Sequence, residues 1–292
     1  MATFTFNANS PEVTGTSGVT KVGTTYQMNG TSAQIDIIAD AGGGMAFDHS
    51  TALESVSDNL WTPADLTTEL WLDASDASTV TESGGAVSAW NDKSGNSRNL
   101  TQDTPANQPT YTTGGLGGNN IMTLDGSDFF DGTIPIPNTA DDLLIYFVGN
   151  PNAIGAYHNM YENSGGNPMV WVQSSNKWEM NTSRLVIDGY IGTDHIAGFR
   201  TKTTGPSSSF WGNGGTIQTG GSSLSSWPSS NMKLFNRNGG ACYNGTVGEL
   251  IFIDGSVPES DRLKLEGYLA WKWGLEGKLP SDHPYKNSEP MT

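Results

Sequence analysis

Short β-prone runs punctuated by Asn-Gly and Asp-Gly dipeptides constrain this chain more than any other feature. Asn-Gly stands at 29–30, 213–214, 238–239 and 244–245, and Asp-Gly at 125–126, 131–132, 188–189 and 254–255. Both dipeptides tolerate the positive φ that tight hairpin turns require. Between them lie residues 3–6, 35–38, 70–72, 121–124, 143–148, 170–172, 185–191 and 249–253, many of them β-branched or aromatic. The pattern predicts an all-β protein, a mostly antiparallel two-sheet sandwich.

One helix interrupts the pattern. Ser256-Val257-Pro258-Glu259 reads as a capping box with proline in the first turn, and good helix formers follow from Leu263 to Trp273. Leu265, Tyr268, Leu269 and Trp273 fall on one apolar stripe, and Gly274 suits the residue that ends the helix. Trp271 and Trp273 are read as packing residues, because aromatics at helical spacing usually pack.

Residues 1–60 are richer in Thr, Gly and Ala than the remainder, so a boundary is expected near 60–66. Two β-prone runs flanking Asn29-Gly30, at 24–28 and 34–38, suggest a hairpin in this leader. A lone hairpin is too small to be stable by itself, so it is expected to pack on the main domain or on a neighbouring subunit. The second domain is expected over 66–290.

Composition excludes several partners. With 14 Lys+Arg against 30 Asp+Glu, the net charge of −16 repels phosphate backbones and anionic membrane surfaces. The single cysteine, Cys242, cannot form an intrachain bridge. The start MATFTFNANS has no basic segment followed by an apolar core, so the sequence reads as a chain without an export signal. Abundant Ser, Thr, Asn and Gly do not mean disorder here, since 9 Trp, 9 Tyr and 10 Phe supply a core.

Catalytic motifs are absent where they would be legible: no Gly-x-Ser-x-Gly, no His-Glu-x-x-His, no phosphate loop and no dinucleotide fingerprint. His49, His158, His195 and His283 are far apart in sequence and are read as ordinary histidines. A glycoside hydrolase needs two carboxylates facing the sugar. The Glu-x-Asp-x-x-Glu string that would set them on one strand face does not occur. Glu249, sharing a strand face with Ile251 and Ile253, reads as a lone acid.

A series of strings then changes the reading. LWLDASD (70–76) is followed by VSAWNDKSGNSRNLTQ (87–102), QPTY (108–111), MTLDGSDFF (122–130), GELIFIDGSVPESDRLKLEGYLAWKWGL (248–275) and LPSDHPYKN (279–287). Taken in order, the series resembles the LamG-like, concanavalin A-like jelly-roll domains of phage structural proteins and large bacterial surface proteins. It covers roughly 66–290 and is strong at both ends. The resemblance implies a two-sheet jelly roll with the terminal helix appended. It also implies a binding and display module, often for glycans and sometimes with bound calcium.

Sugar binding calls for aromatic faces beside amides and carboxylates. Trp171, Trp178, Trp211, Trp227, Tyr157 and Tyr161 are the candidates, set among Asn, Ser and Gly where loops would carry specificity. For calcium, which takes 6–8 oxygen ligands, the candidates are Asp73, Asp76, Asp92 and Asn96, with Asn91, Asp125 and Asp128 near them in the resembling strings. The competing reading of 91–96 is a turn whose side chains cap backbone groups above a buried Trp90.

The expected function is a non-enzymatic phage virion surface protein, a capsid decoration or head-fibre protein assembled in the host cytoplasm. Residues 1–60 would attach to other virion proteins or drive homo-oligomerisation, as a trimer on a capsid three-fold position. The alternatives are a tail-associated receptor-binding protein for host glycans, a free carbohydrate-binding module and a glycanase.

Overall fold

A computed structural model describes residues 2–5, 19–22, 25–28, 60–132, 142–152, 158–162, 168–172, 177–180, 185–187, 189–202, 208–220, 232–236 and 242–292. The chain divides into two compact units, Met1–Leu60 with Met291–Thr292, and Trp61–Pro290. Residues 61–65, which the sequence reading left between its two domains, belong to the second unit. Trp61 is buried there, and Thr62 and Asp65 cap the short 3-10 turn Pro63–Asp65 reciprocally.

The first unit contains a three-stranded antiparallel sheet with Thr25–Met28 in the middle, paired to Ala2–Thr5 and to Val19–Val22. The turn of the expected hairpin, Asn29-Gly30, lies outside the described residues. Thr25–Met28 has a strand on each side, pairing Val22 with Thr25 on one edge and Ala2 with Met28 on the other. Residues 34–38 lie outside the described residues.

In the second unit every strand pairing among the described residues is antiparallel. One sheet is built around the long strands Asp142–Pro151 and Asn244–Asp254, which pair with each other. His195–Lys202, Ser208–Gly212 and Gln218–Gly220 extend it on one side, and Thr68–Asp73 on the other. The facing layer runs Leu185–Ile187, Trp178–Met180, Pro168–Val172, His158–Glu162, Met232–Leu234, Phe130–Gly132, Leu100–Thr101, Ala86–Trp90 and Val80–Ser83. The expected run 185–191 is strand only at Leu185–Ile187, because the chain turns at Gly189, whose φ is +96°.

Alternation along the long strands makes two cores. Leu143, Ile145 and Phe147, with Leu250 and Phe252, point into a large cluster between the sheets, joined there by Trp90, Phe130, Met160 and Trp178. Leu144, Tyr146 and Val148, with Ile251 and Ile253, point the other way, into a second cluster under the helix Glu259–Lys272. Each aliphatic or phenyl side chain buried this way contributes about 1.5–3 kcal/mol.

The helix seats Leu265 and Leu269, with Trp273 just past its end, as the stripe predicted. Gly274 takes φ +66° and closes it. Its N-terminus differs from expectation, since Pro258 occupies the cap position with no side-chain capping bond. Proline at that point already fixes the entry dihedral. No helix among the described residues is long and apolar enough to cross a membrane.

Candidate functional site

The helix-covered face carries the polar chemistry. Glu249 and Asp73 are directly opposite on neighbouring strands, so their side chains share one face. Glu249 is fully buried and Asp73 is 2% exposed. A buried carboxylate is costly unless donors surround it. Glu249 accepts from Trp71 Nε1 at 2.6 Å, Trp273 Nε1 at 2.7 Å, the Tyr268 hydroxyl at 3.1 Å and Lys272 Nζ at 2.8 Å.

Lys272 Nζ also lies 2.8 Å from Asp73 Oδ2, and Lys93 Nζ reaches the same oxygen at 2.8 Å and Asp76 at 2.9 Å. Charges therefore alternate from the interior to the surface as Glu249, Lys272, Asp73, Lys93, Asp76. Burial pushes the Glu249 carboxyl up, only partly offset by Lys272. At Asp73 burial acts upward too, but the two ammonium groups and Ser75 outweigh it and hold the carboxyl low. Hydrogen bonds from Ser78 and Lys93 draw Asp76 down to about 2.

A second node lies under the same helix. Glu266, fully buried, accepts from Trp211 Nε1 at 2.6 Å, the Tyr146 hydroxyl at 2.9 Å, the Arg262 guanidinium and His283 Nε2 at 3.2 Å. His283 Nδ1 accepts from the Tyr285 amide, which leaves Nε2 as the protonated nitrogen facing Glu266. Both nodes need close approach of a tryptophan to the sheet. A Cβ at Gly198 would sit 2.3 Å from the Trp211 ring, and one at Gly248 would sit 2.8 Å from Trp273.

Beside the second node a pocket of about 70 Å³ opens between Arg200, Trp211, Ile217, Glu259 and Arg262. Ile217 is 41% exposed and forms its apolar lip. Arg262 lies over the Trp211 ring at 5.6 Å and is paired with Glu259 and Glu266, while Arg200 grips Asp142 through Nε at 2.8 and 3.0 Å. The guanidinium charges are thus already neutralised. The pocket offers an apolar wall with polar groups of both hydrogen-bonding senses.

Of the predicted glycan-binding residues, Trp211 lines this pocket. Trp178 is buried in the inner core, donating through Nε1 to His195 Nε2 at 3.0 Å, with its ring edge-on to Phe147 and Phe199. Trp211 is 2% exposed and serves Glu266. Strand alternation takes both side chains inward although their sequence surroundings are polar. Trp171 and Tyr161 lie on the strands Pro168–Val172 and His158–Glu162. Tyr157 and Trp227 fall outside the described residues, as does His49.

The calcium candidates are corrected. Lys93 supplies the positive charge between Asp73 and Asp76. Asp92 is filled by the Trp71 amide, both donors of Ser94 and the Arg98 amide. Asn96 turns its Nδ2 toward the Thr68 and Glu69 carbonyls. No group of three or more His, Cys, Asp or Glu side chains among the described residues is arranged to hold a metal. Trp90 is fully buried, and the 91–96 segment forms a capped turn.

Two other sites carry shifted titrations. Burial and the neighbouring Asp125 raise Asp128 to about 6, whereas Ser127 holds Asp125 low; the two carboxyls are hydrogen-bonded. The same two acids, after burial, help to push the Cys242 thiol up to about 11, which makes it a poor nucleophile. His195 is buried in the inner core and depressed to about 4 by desolvation, its Nδ1 donating to the Thr193 carbonyl at 2.8 Å.

Sequence reasoning treated Glu249 as alone and singled out neither Lys93, Glu266 nor Lys272. A legible signal did exist for parts of the nodes: Arg262 and Glu266, like Tyr268 and Lys272, are four apart on one helix face.

No protein-family model matches the sequence, and no curated protein matches it. Among solved structures, the chain is similar to a sialidase of Trypanosoma rangeli in complex with sialic acid, at 11% identity and a TM-score of 0.45, over 66% of this chain and 31% of that one. It is also similar to domain 4 of an extracellular arabinanase from Geobacillus stearothermophilus in complex with arabinotriose, at 13% identity and a TM-score of 0.45, over 66% and 95% of the two chains. The receptor-binding domain of botulinum neurotoxin D is similar at 13% identity and a TM-score of 0.41, over 67% and 51%. The chain thus spans about a third of the sialidase.

Proposed function

We infer that this chain is a non-catalytic display protein of a phage particle surface. Its 61–290 unit is read as a concanavalin A-like jelly roll of the LamG type, and its first sixty residues as the attachment and oligomerisation segment. One observation carries the non-catalytic part. Glu249 and Glu266, the fully buried acids of the molecule's polar face, are each satisfied by four protein donors and sealed under the helix. Both oxygens of Glu249 accept two donors each, and both oxygens of Glu266 are engaged, so neither acid faces an open substrate space.

The Asp125–Asp128 pair titrates apart in the manner of an acid and a base, but its carboxyls touch. A retaining glycosidase holds them about 5–5.5 Å apart and an inverting one farther. The virion assignment rests on the ordered strings from LWLDASD to LPSDHPYKN, and a strongly acidic surface suits a protein displayed in many copies.

Immunogold labelling of purified particles with an antibody to residues 61–290 tests this reading. Label over the head is expected, and particles without label would overturn it. Incubation with host polysaccharide should release no reducing ends; release that disappears in Glu249→Gln would establish a hydrolase instead. Light scattering of the full chain is expected to give an oligomer, a trimer on the decoration reading, and a monomer would remove the role given to residues 1–60.

The pocket beside Ile217 favours a second reading, tail-associated adhesion to a host glycan. Its apolar lip and its mixed donors and acceptors suit a neutral polyol better than an anion. Retention on a glycan array that Ile217→Asp abolishes would select it.

A further inference from the structure

We propose that Lys272 and Asp73 become joined by an intramolecular isopeptide bond, with Glu249 moving the proton that lets the leaving oxygen depart as water. This inference stands apart from the display reading, since it concerns the chemistry of three side chains and not the location of the protein. Its ground is their geometry. Lys272 Nζ is 2.8 Å from Asp73 Oδ2 and 2.8 Å from Glu249 Oε2. Asp73 and Glu249 are held side by side by direct cross-strand pairing, which the Ala74 amide to Gly248 carbonyl bond extends.

The surroundings match what such a condensation needs. Side-chain exposure is 17% at Lys272, 3% at Asp73 and nil at Glu249, so the reacting groups are held together with little competing water. Trp71, Tyr268 and Trp273 wall the site, the last two with Lys272 Nζ 5.3 Å from each ring centroid. The two oxygens of Asp73 are differently dressed. Oδ1 accepts from the Ser75 amide at 3.0 Å and the Ser75 hydroxyl at 2.6 Å, which polarises the carbonyl that remains in the product. Oδ2, the oxygen that leaves, lies 2.8 Å from the Lys93 ammonium.

The step balances within these groups. An ammonium proton passes from Lys272 to Glu249, and the freed nitrogen lone pair attacks Asp73 Cγ. The Cγ–Oδ2 bond then breaks, with the departing oxygen taking the proton from Glu249 and the second nitrogen proton to leave as water. The remaining products are a neutral secondary amide and an unchanged Glu249. The net charge of the site is unchanged, since one ammonium and one carboxylate are lost together: Lys93 keeps Asp76 at 2.9 Å, and Glu249 keeps its two indole donors and the Tyr268 hydroxyl. Lys272 is chosen over Lys93 because it alone of the two contacts Glu249 among the described contacts.

Intact mass spectrometry of the full-length protein under denaturing conditions tests the bond. The wild type is expected to be one water lighter than its unlinked chain, with Lys272→Arg as the reference after correction for the substitution. Proteolysis should yield a branched peptide joining the segments around residues 73 and 272, and Glu249→Gln should restore the unlinked mass. A wild type at the unlinked mass overturns the proposal. So does a water loss that persists in Lys272→Arg, as dehydration at an Asp-Gly step would, or a branch point mapped to Lys93.

Discussion

The two faces of the central sheet are built by the same strands yet solve burial differently. Toward the facing layer, Leu143, Ile145, Phe147, Leu250 and Phe252 meet other apolar groups, and polar atoms are few. Toward the helix, alternate residues of those strands meet two buried glutamates whose every oxygen is occupied. A layer of β-strands can close over an apolar face without polar partners. A single helix across a sheet leaves room at its flanks, where Trp, Tyr, Lys and Arg side chains bring their polar ends inside with them. The lesson is that burial depth alone does not describe a core; the helix side depends on a hydrogen-bond inventory, the inner side on volume.

The largest test of that contrast is Glu266→Ala. It strands the Trp211 indole, the Tyr146 hydroxyl, Arg262 and His283 in a dry site, and should cost about 3–5 kcal/mol in denaturant unfolding. A loss under ~1 kcal/mol would show that water enters the node and that the two faces are alike.

The inner face holds one titratable ring that tests the opposite point. His195 is depressed to about 4 in the folded chain, against 6.5 when unfolded. Between those values the unfolded state binds the extra proton, so stability falls as pH drops from 6.5 toward 4. The His195 contribution is on the order of 3 kcal/mol. Asp128, raised to about 6, acts against it in the same window, because there the folded state holds the proton that the unfolded chain has released. Urea titrations at several pH values should therefore show a shallower acid limb in His195→Gln and a steeper one in Asp128→Asn.

The smallest expected effect sharpens the packing side of the comparison. Gly248→Ala pushes a methyl group against the Trp273 ring and should cost about 1–3 kcal/mol with Trp273 fluorescence altered. An unchanged spectrum and stability would mean that Trp273 has freedom to shift and that the Glu249 node is looser than its 2.7 Å bond implies.

Much of the scaffold was legible before any coordinates. Alternation marked 143–148 and 249–253, and the stripe Leu265, Tyr268, Leu269, Trp273 marked the helix, because those signals are local periods. The nodes were not legible, for a reason of distance along the chain. Trp71 and Glu249 are 178 positions apart, and Tyr146 and Glu266 are 120 apart. No period links such residues. The burial of Trp178 and Trp211 was hidden for a related reason: their neighbours in sequence are polar, whereas in a strand the adjacent residue faces the other way.

The helix Glu259–Lys272 follows every strand of its unit in the order of synthesis, while the face it covers is made of strands that begin at Thr68. A ribosome therefore exposes the indole of Trp71 well before its cover exists. Until residue 273 has cleared the exit tunnel, the nascent chain carries an open, sticky sheet surface. A nascent chain stalled before the helix is therefore a natural client for chaperones and a natural target for proteases.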